Sequence, residues 1–318
     1  MNAGKGTTEG NGRKDYCLNP LSSAEAMSAH SASKLHMEIV PEACWDTLRG
    51  ELMRKRGVAM ILGMTDSGKS TLAKYLLKEL LSVNIRVSLV DSDVGQSSLG
   101  LPGTISMKVF GSEGEEENFR FERMFFVGTA NPAKRFPLII EGTKKLNDFC
   151  KTKSDITLID TSGLVAGEMG KALKTRKIKT VHPDRIMALQ SEDELEHILR
   201  AVEDIPIDRV KVSRMARVRS RGERIRYRQE KFLNYFDETG LEEFLLATRG
   251  VRFFNGIRPM SPETGMFKPG TIIGLNHEED TVEVGIIGEI AANYIVFRSP
   301  IRGLKKINKV IFGDMTLR

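Results

Sequence analysis

The sequence contains little of the chemistry that holds together small secreted proteins or membrane proteins. It has only three cysteines, Cys17, Cys44 and Cys150, and their odd number and wide spacing argue against a disulfide framework and a cysteine metal site. No segment approaches the roughly 18 consecutive apolar residues of a membrane span. Residues 1–35 lack the apolar core of a secretory signal and are rich in Gly, Ser, Thr and Ala. We therefore expect a disordered tail over 1–35, a cytoplasmic location and no membrane contact.

The remaining composition is that of a globular protein. With 318 residues, 40% of them hydrophobic, the chain supports one large domain or two. A net charge of +6 favours a polyanionic partner only weakly, and the distribution of the charge is more informative than its sum.

The strongest motif is a glycine-bounded loop between an apolar run at 58–62 and a helical pattern of leucines. The loop has the pattern Gly-x-x-x-x-Gly-Lys-Ser, which is typical of a phosphate-binding P-loop. We expect Lys69 to reach the β- and γ-phosphates of a nucleoside triphosphate and the Ser70 hydroxyl to ligate Mg²⁺. The predicted nucleotide-binding residues are Gly63, Met64, Thr65, Asp66, Ser67, Gly68, Lys69, Ser70 and Thr71.

Apolar strands alternate with helical patterns from residue 36 to about 240, and the helical patterns include one over 192–201. This alternation predicts an α/β fold, a P-loop kinase-type parallel sheet with helices on both faces. Beyond residue 241 the pattern changes to short β-like runs with turn signals, which predicts a small β-rich C-terminal domain over 241–318.

Polar clusters follow three of the predicted strands, at 91–96, 129–131 and 160–163. Ligands of open α/β sheets bind at the carboxyl ends of strands, so these clusters should face the P-loop. A lone carboxylate at a strand end is more often a cap or a turn former. Because several clusters converge here, we choose Asp93 as the base of a phosphoryl transfer and Asp160 as a weaker metal-ligand candidate.

The stretch 211–236 carries the densest positive charge in the chain. Three interpretations are open: a solvated helix face, a nonspecific stripe for nucleic-acid phosphates, or a lid that closes over the transferring phosphate. Arg224 and Arg228 are four residues apart and so lie on one helix face, where their guanidinium groups suit phosphate oxygens.

Taken together, these motifs resemble one family. The P-loop is followed by Asp91-Ser-Asp93-Val-Gly-Gln96-Ser-Ser, Leu101-Pro-Gly103-Thr, Gly128-Thr129, Asp160-Thr-Ser-Gly163 and Arg219-Ser220 with Arg224-x-x-x-Arg228. This series is similar to the polynucleotide 5′-hydroxyl kinases of RNA processing, and its layout is most like that of the archaeal RNA kinases. The resemblance spans residues 40–240. One departure is Leu164, where many relatives carry Trp, so an aromatic platform for a terminal base is missing.

The resemblance implies an activity and roles for individual residues. ATP and Mg²⁺ would be held by Lys69 and Ser70, Asp93 would activate the 5′-hydroxyl of RNA or DNA, and Arg224 and Arg228 would act as lid cations. The residues it implies for substrate binding are Gln96, Thr129, Asn131, Thr161, Ser162 and Gly163.

Other functions are kept as alternatives. The chain could instead be an ATP-binding, RNA-associated scaffold protein without transfer activity. A small-metabolite kinase also stays open, because positive charge does not by itself establish a polymeric substrate. A GTPase is disfavoured, because the sequence lacks the guanine-reading Asn-Lys-x-Asp motif. Protein partners are not indicated by any motif.

Overall fold

The computed structural model describes Met1 and residues 39–213, 215–262 and 266–317. The predicted tail lies, apart from Met1, outside the described residues, as does Cys17. Pro41–Arg318 form one compact unit that contains two seven-stranded sheets. None of the helices described in these ranges is long and apolar enough to cross a membrane.

The first sheet has the strand order β4-β3-β2-β5-β1-β6-β7. Its strands are β1 (Gly57–Gly63), β2 (Val87–Ser92), β3 (Thr104–Phe110), β4 (Arg123–Phe126), β5 (Ile156–Thr161), β6 (Arg185–Gln190) and β7 (Ile207–Lys211). The helices that accompany it are α1 (Ala43–Arg54), α2 (Lys69–Leu81), α3 (Phe136–Lys151), α4 (Gly167–Val181), α5 (Glu196–Leu199) and α6 (Arg221–Thr239). The α/β fold is thus confirmed.

The first sheet is mixed rather than purely parallel. Strands β2, β5, β1, β6 and β7 run parallel, but β3 pairs antiparallel with β2, and β4 antiparallel with β3. A parallel neighbour needs a crossover connection, usually a helix. The link from β2 to β3, residues 93–103, is described throughout and contains no helix, so the chain turns back along β2.

Two elements differ from the sequence predictions for local reasons. Strand β3 is not predicted, because Thr104, Ser106 and Lys108 break up its apolar pattern; all three are nevertheless buried. The helix predicted over 192–201 is confined to α5, because the Glu194 carboxylate accepts the N–H groups of Ser191 and Glu192 and forms a turn there instead.

The second sheet confirms the β-rich character predicted beyond residue 241. Its strands are β8 (Glu242–Ala247), β9 (Arg252–Asn255), β10 (Arg258–Met260), β11 (Thr271–His277), β12 (Asp280–Ile290), β13 (Tyr294–Ser299) and β14 (Lys309–Thr316). They are ordered β10-β9-β14-β11-β12-β13-β8, and all neighbours are antiparallel except the parallel pair β9 and β14.

The two sheets share a hydrophobic cluster. Phe126 of β4 is fully buried in it, together with Phe232 and Phe236 of α6 and Ile272 of β11. The Arg135 guanidinium also donates to the carbonyl oxygens of Val127, at 2.9 Å, and Phe312, at 3.0 Å. The second sheet therefore fixes both helix α6 and the loop that follows β4.

Gly274 of β11 packs directly against Phe126 of β4, and its replacement tests this packing. A Cβ atom added to Gly274 would lie 2.4 Å from the Phe126 ring. Because the ring is fully buried and cannot move away, we expect Gly274→Ala to lower the free energy of unfolding by about 1–3 kcal/mol, measured by urea denaturation.

Gly288→Ala in β12 is the matched control. The nearest atom to its added Cβ is the Val296 carbonyl oxygen at 3.5 Å, an ordinary contact. Equal stability of the two variants would contradict tight packing between the sheets at Gly274.

Candidate active site

The P-loop, residues 63–70, has the shape that its glycines predict. Gly68 caps helix α2 with a φ of 89°, a left-handed conformation that favours glycine, and no atom would lie within 4 Å of an added Cβ. At Gly63 a Cβ would lie 2.5 Å from the Ser67 hydroxyl. The open space above Gly68 and the N–H groups at the start of α2 form a cradle for an anion.

Lys69 lies across this loop. It is 6% exposed, and its ammonium group donates to the Met64 carbonyl oxygen at 2.5 Å. Burial lowers the pKa of Lys69, while the charges of Asp160 and Asp93 oppose that shift. The ammonium group therefore lies at the P-loop, where a phosphate oxygen can replace the Met64 carbonyl oxygen as its hydrogen-bond partner.

Ser70 and Asp160 meet at the end of the P-loop. The Ser70 hydroxyl donates to Asp160 Oδ2 at 2.5 Å, whereas the buried Asp160 Oδ1 has no partner among the described residues. Burial raises the pKa of Asp160 to about 7, and the nearby charge of Asp91 adds to the rise. A hydroxyl and a carboxylate with a free oxygen fit Mg²⁺, which usually binds one or two carboxylates together with substrate phosphates.

Among the residues that the structure describes, no larger metal-binding cluster competes with this pair. The described ranges contain no group of three or more His, Cys, Asp or Glu residues placed to hold a metal ion. A cation at Ser70 and Asp160 would therefore depend on phosphate oxygens and water for its other ligands.

Asp91 organises the loop over 93–99. Its fully buried carboxylate accepts N–H groups from Asp93 at 3.0 Å, Ser98 at 2.6 Å and Leu99 at 2.9 Å, and the Ser97 hydroxyl at 3.0 Å. Burial raises the pKa of Asp91, although these hydrogen bonds oppose the rise. Asp91 is thus a structural centre of the site, a role that the sequence predictions do not assign to it.

Asp93 has a different environment from Asp91. It is half-buried, and its Oδ1 atom accepts the N–H groups of Gly95 at 2.9 Å and Gln96 at 3.1 Å. Within the described part of the chain, no hydrogen bond involves its Oδ2 atom. The carboxylate is held by one oxygen, and the other is available to accept a proton.

Helix α6 begins beside the P-loop. Ser220 and Glu223 form a capping box at its start. One turn later the Arg224 guanidinium donates to Asp66 Oδ2 at 2.6 Å, an oxygen that also accepts the Arg219 N–H at 2.9 Å. The buried Arg224 Nε has no partner among the described residues. The predicted lid arginine is therefore already in contact with the P-loop.

Arg228, one turn beyond Arg224 on α6, lies beside two of the predicted substrate residues. Thr129, Asn131 and Arg228 line a cleft between α6 and the end of β14. The Thr129 hydroxyl donates to Asp314 Oδ2 at 3.0 Å and accepts the Asn131 N–H at 3.1 Å.

Gln96 connects the 93–99 loop to the start of α6. Its amide group donates to the Gly95 carbonyl oxygen at 2.7 Å and to that of Arg224 at 3.5 Å. Gln96 is half-buried between the 93–99 loop and the start of α6.

The residues at the end of β5 and just after it contact β1 and the P-loop; they include the predicted substrate residues Thr161, Ser162 and Gly163. Thr161 and Ser162 are buried, and the Thr161 hydroxyl donates to the Ile61 carbonyl oxygen at 2.7 Å. A Cβ added to Gly163 would lie 2.3 Å from the Thr65 nitrogen. In this structure, these residues pack against the P-loop and the strand that precedes it.

Two fully buried lysines of α4 complete the site, and the sequence predictions do not include them. The Lys177 ammonium group donates to the Ser92 hydroxyl at 2.8 Å, and that of Lys174 donates to the Thr161 hydroxyl at 2.9 Å and to the Ser162 carbonyl oxygen. Burial lowers the pKa of Lys177 to about 8 and that of Lys174 well below its usual value.

The sequence does contain a pattern that indicates the burial of these lysines. They share helical spacing with the buried residues Leu173, Ile178 and Val181, so the apolar stripe of α4 passes through both of them.

Comparisons with known proteins agree with this geometry. Residues 63–238, more than half of the chain, match the family model described as mRNA cleavage and polyadenylation factor CLP1 P-loop. A protein of Pyrococcus abyssi named polyribonucleotide 5′-hydroxyl-kinase is 39% identical over 210 residues, which cover 65% of this chain and 59% of that protein. A protein of the same name from Pyrococcus furiosus is 36% identical over 237 residues, 72% of this chain and 65% of that protein. The chain thus spans less than two thirds of the length of these relatives.

A solved structure supports the fold alone. The Clp1p chain in a Clp1p–Pcf11p complex matches with a TM-score of 0.69 at 12% identity, over 86% of this chain and 79% of that chain.

Lys177 gives the site a pH-dependent contribution to stability. The folded lysine releases its proton near pH 8, whereas the unfolded chain holds it to about 10.5. Because the unfolded state binds more protons between these values, stability rises with pH across that window. Relative to Lys177→Met, the native protein should gain about 2 kcal/mol in the free energy of unfolding between about pH 7 and about pH 9.5.

Denaturant unfolding of both proteins at the two pH values measures this difference. Lys179→Met, which removes an exposed lysine of the same helix, should show the same pH dependence as the native protein. If Lys177→Met also shows the native pH dependence, Lys177 does not titrate in this window.

Proposed function

The chain belongs to the family of the mRNA cleavage and polyadenylation factor CLP1 P-loop, and from this premise we propose that it is an ATP-dependent polynucleotide 5′-hydroxyl kinase. It would transfer the γ-phosphate of ATP to the 5′-hydroxyl of a nucleic acid. One observation supports the proposal most directly: Arg224, near the start of α6, forms an ion pair with Asp66 of the P-loop. A candidate lid cation thus lies next to the predicted nucleotide cradle.

The donor side of the reaction is assigned to the P-loop. Its N–H groups and Lys69 would bind the phosphates of ATP. Ser70 and the free oxygen of Asp160 would hold Mg²⁺, which supplies positive charge to the phosphate oxygens when it is bound. Lys69 would exchange its contact with the Met64 carbonyl oxygen for a phosphate oxygen.

The acceptor side is assigned to Asp93. Its Oδ1 is held by two backbone N–H groups, so the position of the carboxylate does not depend on the acceptor. The free Oδ2 would take the proton from the attacking hydroxyl as general base. In this proposal Gln96 of the same loop contacts the acceptor end.

The lid contributes the remaining charge. Arg224 would leave Asp66 and turn its guanidinium to the oxygens of the transferring phosphate, where it stabilises the transition state. Its partnerless Nε atom is a second donor for that contact. Arg228, one turn further along α6, is the second lid cation of the proposal.

The acceptor is proposed to be RNA, because both Pyrococcus relatives are named polyribonucleotide kinases. The net charge of +6 is consistent with a polyanionic acceptor.

The direct test is a transfer assay. The protein is incubated with Mg²⁺, ATP labelled at the γ-phosphate and an equimolar mixture of RNA and DNA oligonucleotides that carry 5′-hydroxyl ends. Labelled RNA is the expected product. If labelled DNA is the main product, the preferred acceptor is DNA and not RNA. If nucleotide binds and neither strand is labelled over a range of Mg²⁺ and salt concentrations, the scaffold alternative replaces the kinase.

Asp93→Asn is the sharpest variant for the mechanism. The asparagine side chain keeps an oxygen for the two N–H groups of the loop and loses only the charge and the basic oxygen. We expect the transfer rate to fall by about 10²–10⁴-fold, as for the loss of a general base.

Asp148→Asn, which changes an exposed carboxylate of α3, is the control and should transfer at the native rate. Nucleotide affinity, measured by calorimetry, should stay within about twofold in both variants. An Asp93→Asn variant that transfers normally would remove Asp93 from the base role.

A further inference from the structure

A cleft of about 490 Å³ lies between α6, the loop after β4 and the end of β14. One face of α6 forms its wall, because Arg221, Ile225, Arg228 and Gln229 follow helical spacing. The end of β14 and the residues after it form the opposite wall with Met315 and Leu317. A volume of this size is within the usual range for small-ligand sites.

The cleft begins where the proposed acceptor end would lie. Ala130 lines it, and a Cβ added to Gly95 would lie 3.0 Å from the Ala130 carbonyl oxygen. The N–H group of that same Gly95 donates to Asp93 Oδ1 at 2.9 Å. A strand whose 5′ end is bound at Asp93 can therefore continue directly into the cleft.

The charge of the cleft is positive and largely uncompensated. Lys134 is neutralised by Asp314, at 2.7 Å. In the described ranges, no ion pair or hydrogen bond involves the guanidinium group of Arg221 or of Arg228. Arg228 is half-buried, and burial lowers its pKa with a further contribution from Arg224. Two guanidinium groups without a counter-charge favour an anionic ligand, and their forked donors suit phosphate oxygens.

The surface between these charges is apolar. Phe232 and Ile272 form a buried floor, and Ile225 is 40% exposed on the helix wall. Met315 and Leu317 are half-buried opposite Ile225. Single-stranded nucleic acids bind to grooves that combine positive charge with surfaces on which bases pack, and this cleft has both.

We propose that the cleft binds the second nucleotide of a single-stranded acceptor. The phosphate that links the first two nucleotides contacts Arg221, and the second base packs between Ile225 and Met315. This inference rests on the proposed kinase function and deepens it, because it makes the second sheet part of the acceptor site. An acceptor with a second nucleotide therefore binds more tightly than a single nucleotide.

Two pairs of variants in the full chain test the inference. Arg221→Gln removes a cleft charge, and Arg226→Gln removes an exposed charge of α6 that does not line the cleft. Ile225→Glu places a carboxylate in the cleft, and Leu233→Glu places one at a position of α6 that is 45% exposed and outside the cleft. Thermal unfolding of all four variants identifies any that fail to fold.

Each protein is measured in two ways. The affinity for a tetranucleotide with a 5′-hydroxyl and a 3′ fluorescent label is determined by anisotropy. The KM values for that tetranucleotide and for a nucleoside 3′-phosphate are determined by phosphate transfer. We expect both cleft variants to bind the tetranucleotide about tenfold more weakly than their controls, as for the loss of one charge-assisted contact. The KM advantage of the tetranucleotide over the nucleoside 3′-phosphate should shrink by a similar factor in Ile225→Glu, which disturbs the site of the second base. Arg221→Gln should instead raise both KM values, because both acceptors carry the phosphate that Arg221 contacts.

The outcomes separate the two proposals. If the native protein transfers phosphate and the cleft variants match their controls in affinity and in KM ratio, the kinase function stands and the inference about the cleft is wrong. The cleft would then be a site for another ligand, such as a peptide. If the native protein transfers nothing but the cleft variants bind the tetranucleotide tenfold more weakly than their controls, the strand-binding cleft stands and the kinase function is wrong.

Discussion

The site depends on a balance between buried charges at one edge of the first sheet. Two buried carboxylates, Asp91 and Asp160, end neighbouring parallel strands, and three buried ammonium groups, those of Lys69, Lys174 and Lys177, lie around them. Buried charges are tolerated only when opposite charges and hydrogen bonds compensate them. Because α4 supplies two of the ammonium groups and the P-loop supplies the third, this compensation holds the helix, the loop and the strand ends together.

The second sheet takes part in building the site. It buries Phe126 against Gly274, provides the carbonyl oxygen of Phe312 for Arg135, and holds the aromatic end of α6. The loop after β4 and helix α6 are therefore positioned from the side opposite the P-loop. A change in the packing of the second sheet would reach the proposed acceptor site through these two elements, even though the nucleotide cradle belongs entirely to the first sheet.

The sequence predicts the parts of the structure that follow from local patterns. The P-loop is recognisable because Gly63 leaves no room for a Cβ atom and Gly68 has a left-handed backbone conformation that favours glycine. Strands β11 to β14 are recognisable from their apolar runs. Strands β8 and β10 escape prediction because most of their side chains are exposed, so that neither strand shows an alternating apolar pattern. The different roles of Asp91 and Asp93 cannot be read from the chain, because burial and five N–H or hydroxyl donors distinguish Asp91 only in the fold. The buried lysines are missed because charge normally indicates an exposed face.

The contact between Asp66 and Arg224 makes any phosphate binding by the lid an exchange reaction. The P-loop carries its own counter-ion for the guanidinium, so the net affinity of Arg224 for a ligand is the difference between two charge-assisted contacts. In the proposed mechanism, a multiply charged phosphate would displace the Asp66 carboxylate more readily than a weak anion would. Asp66 would then make the proposed lid respond to the charge of the ligand as well as to its presence.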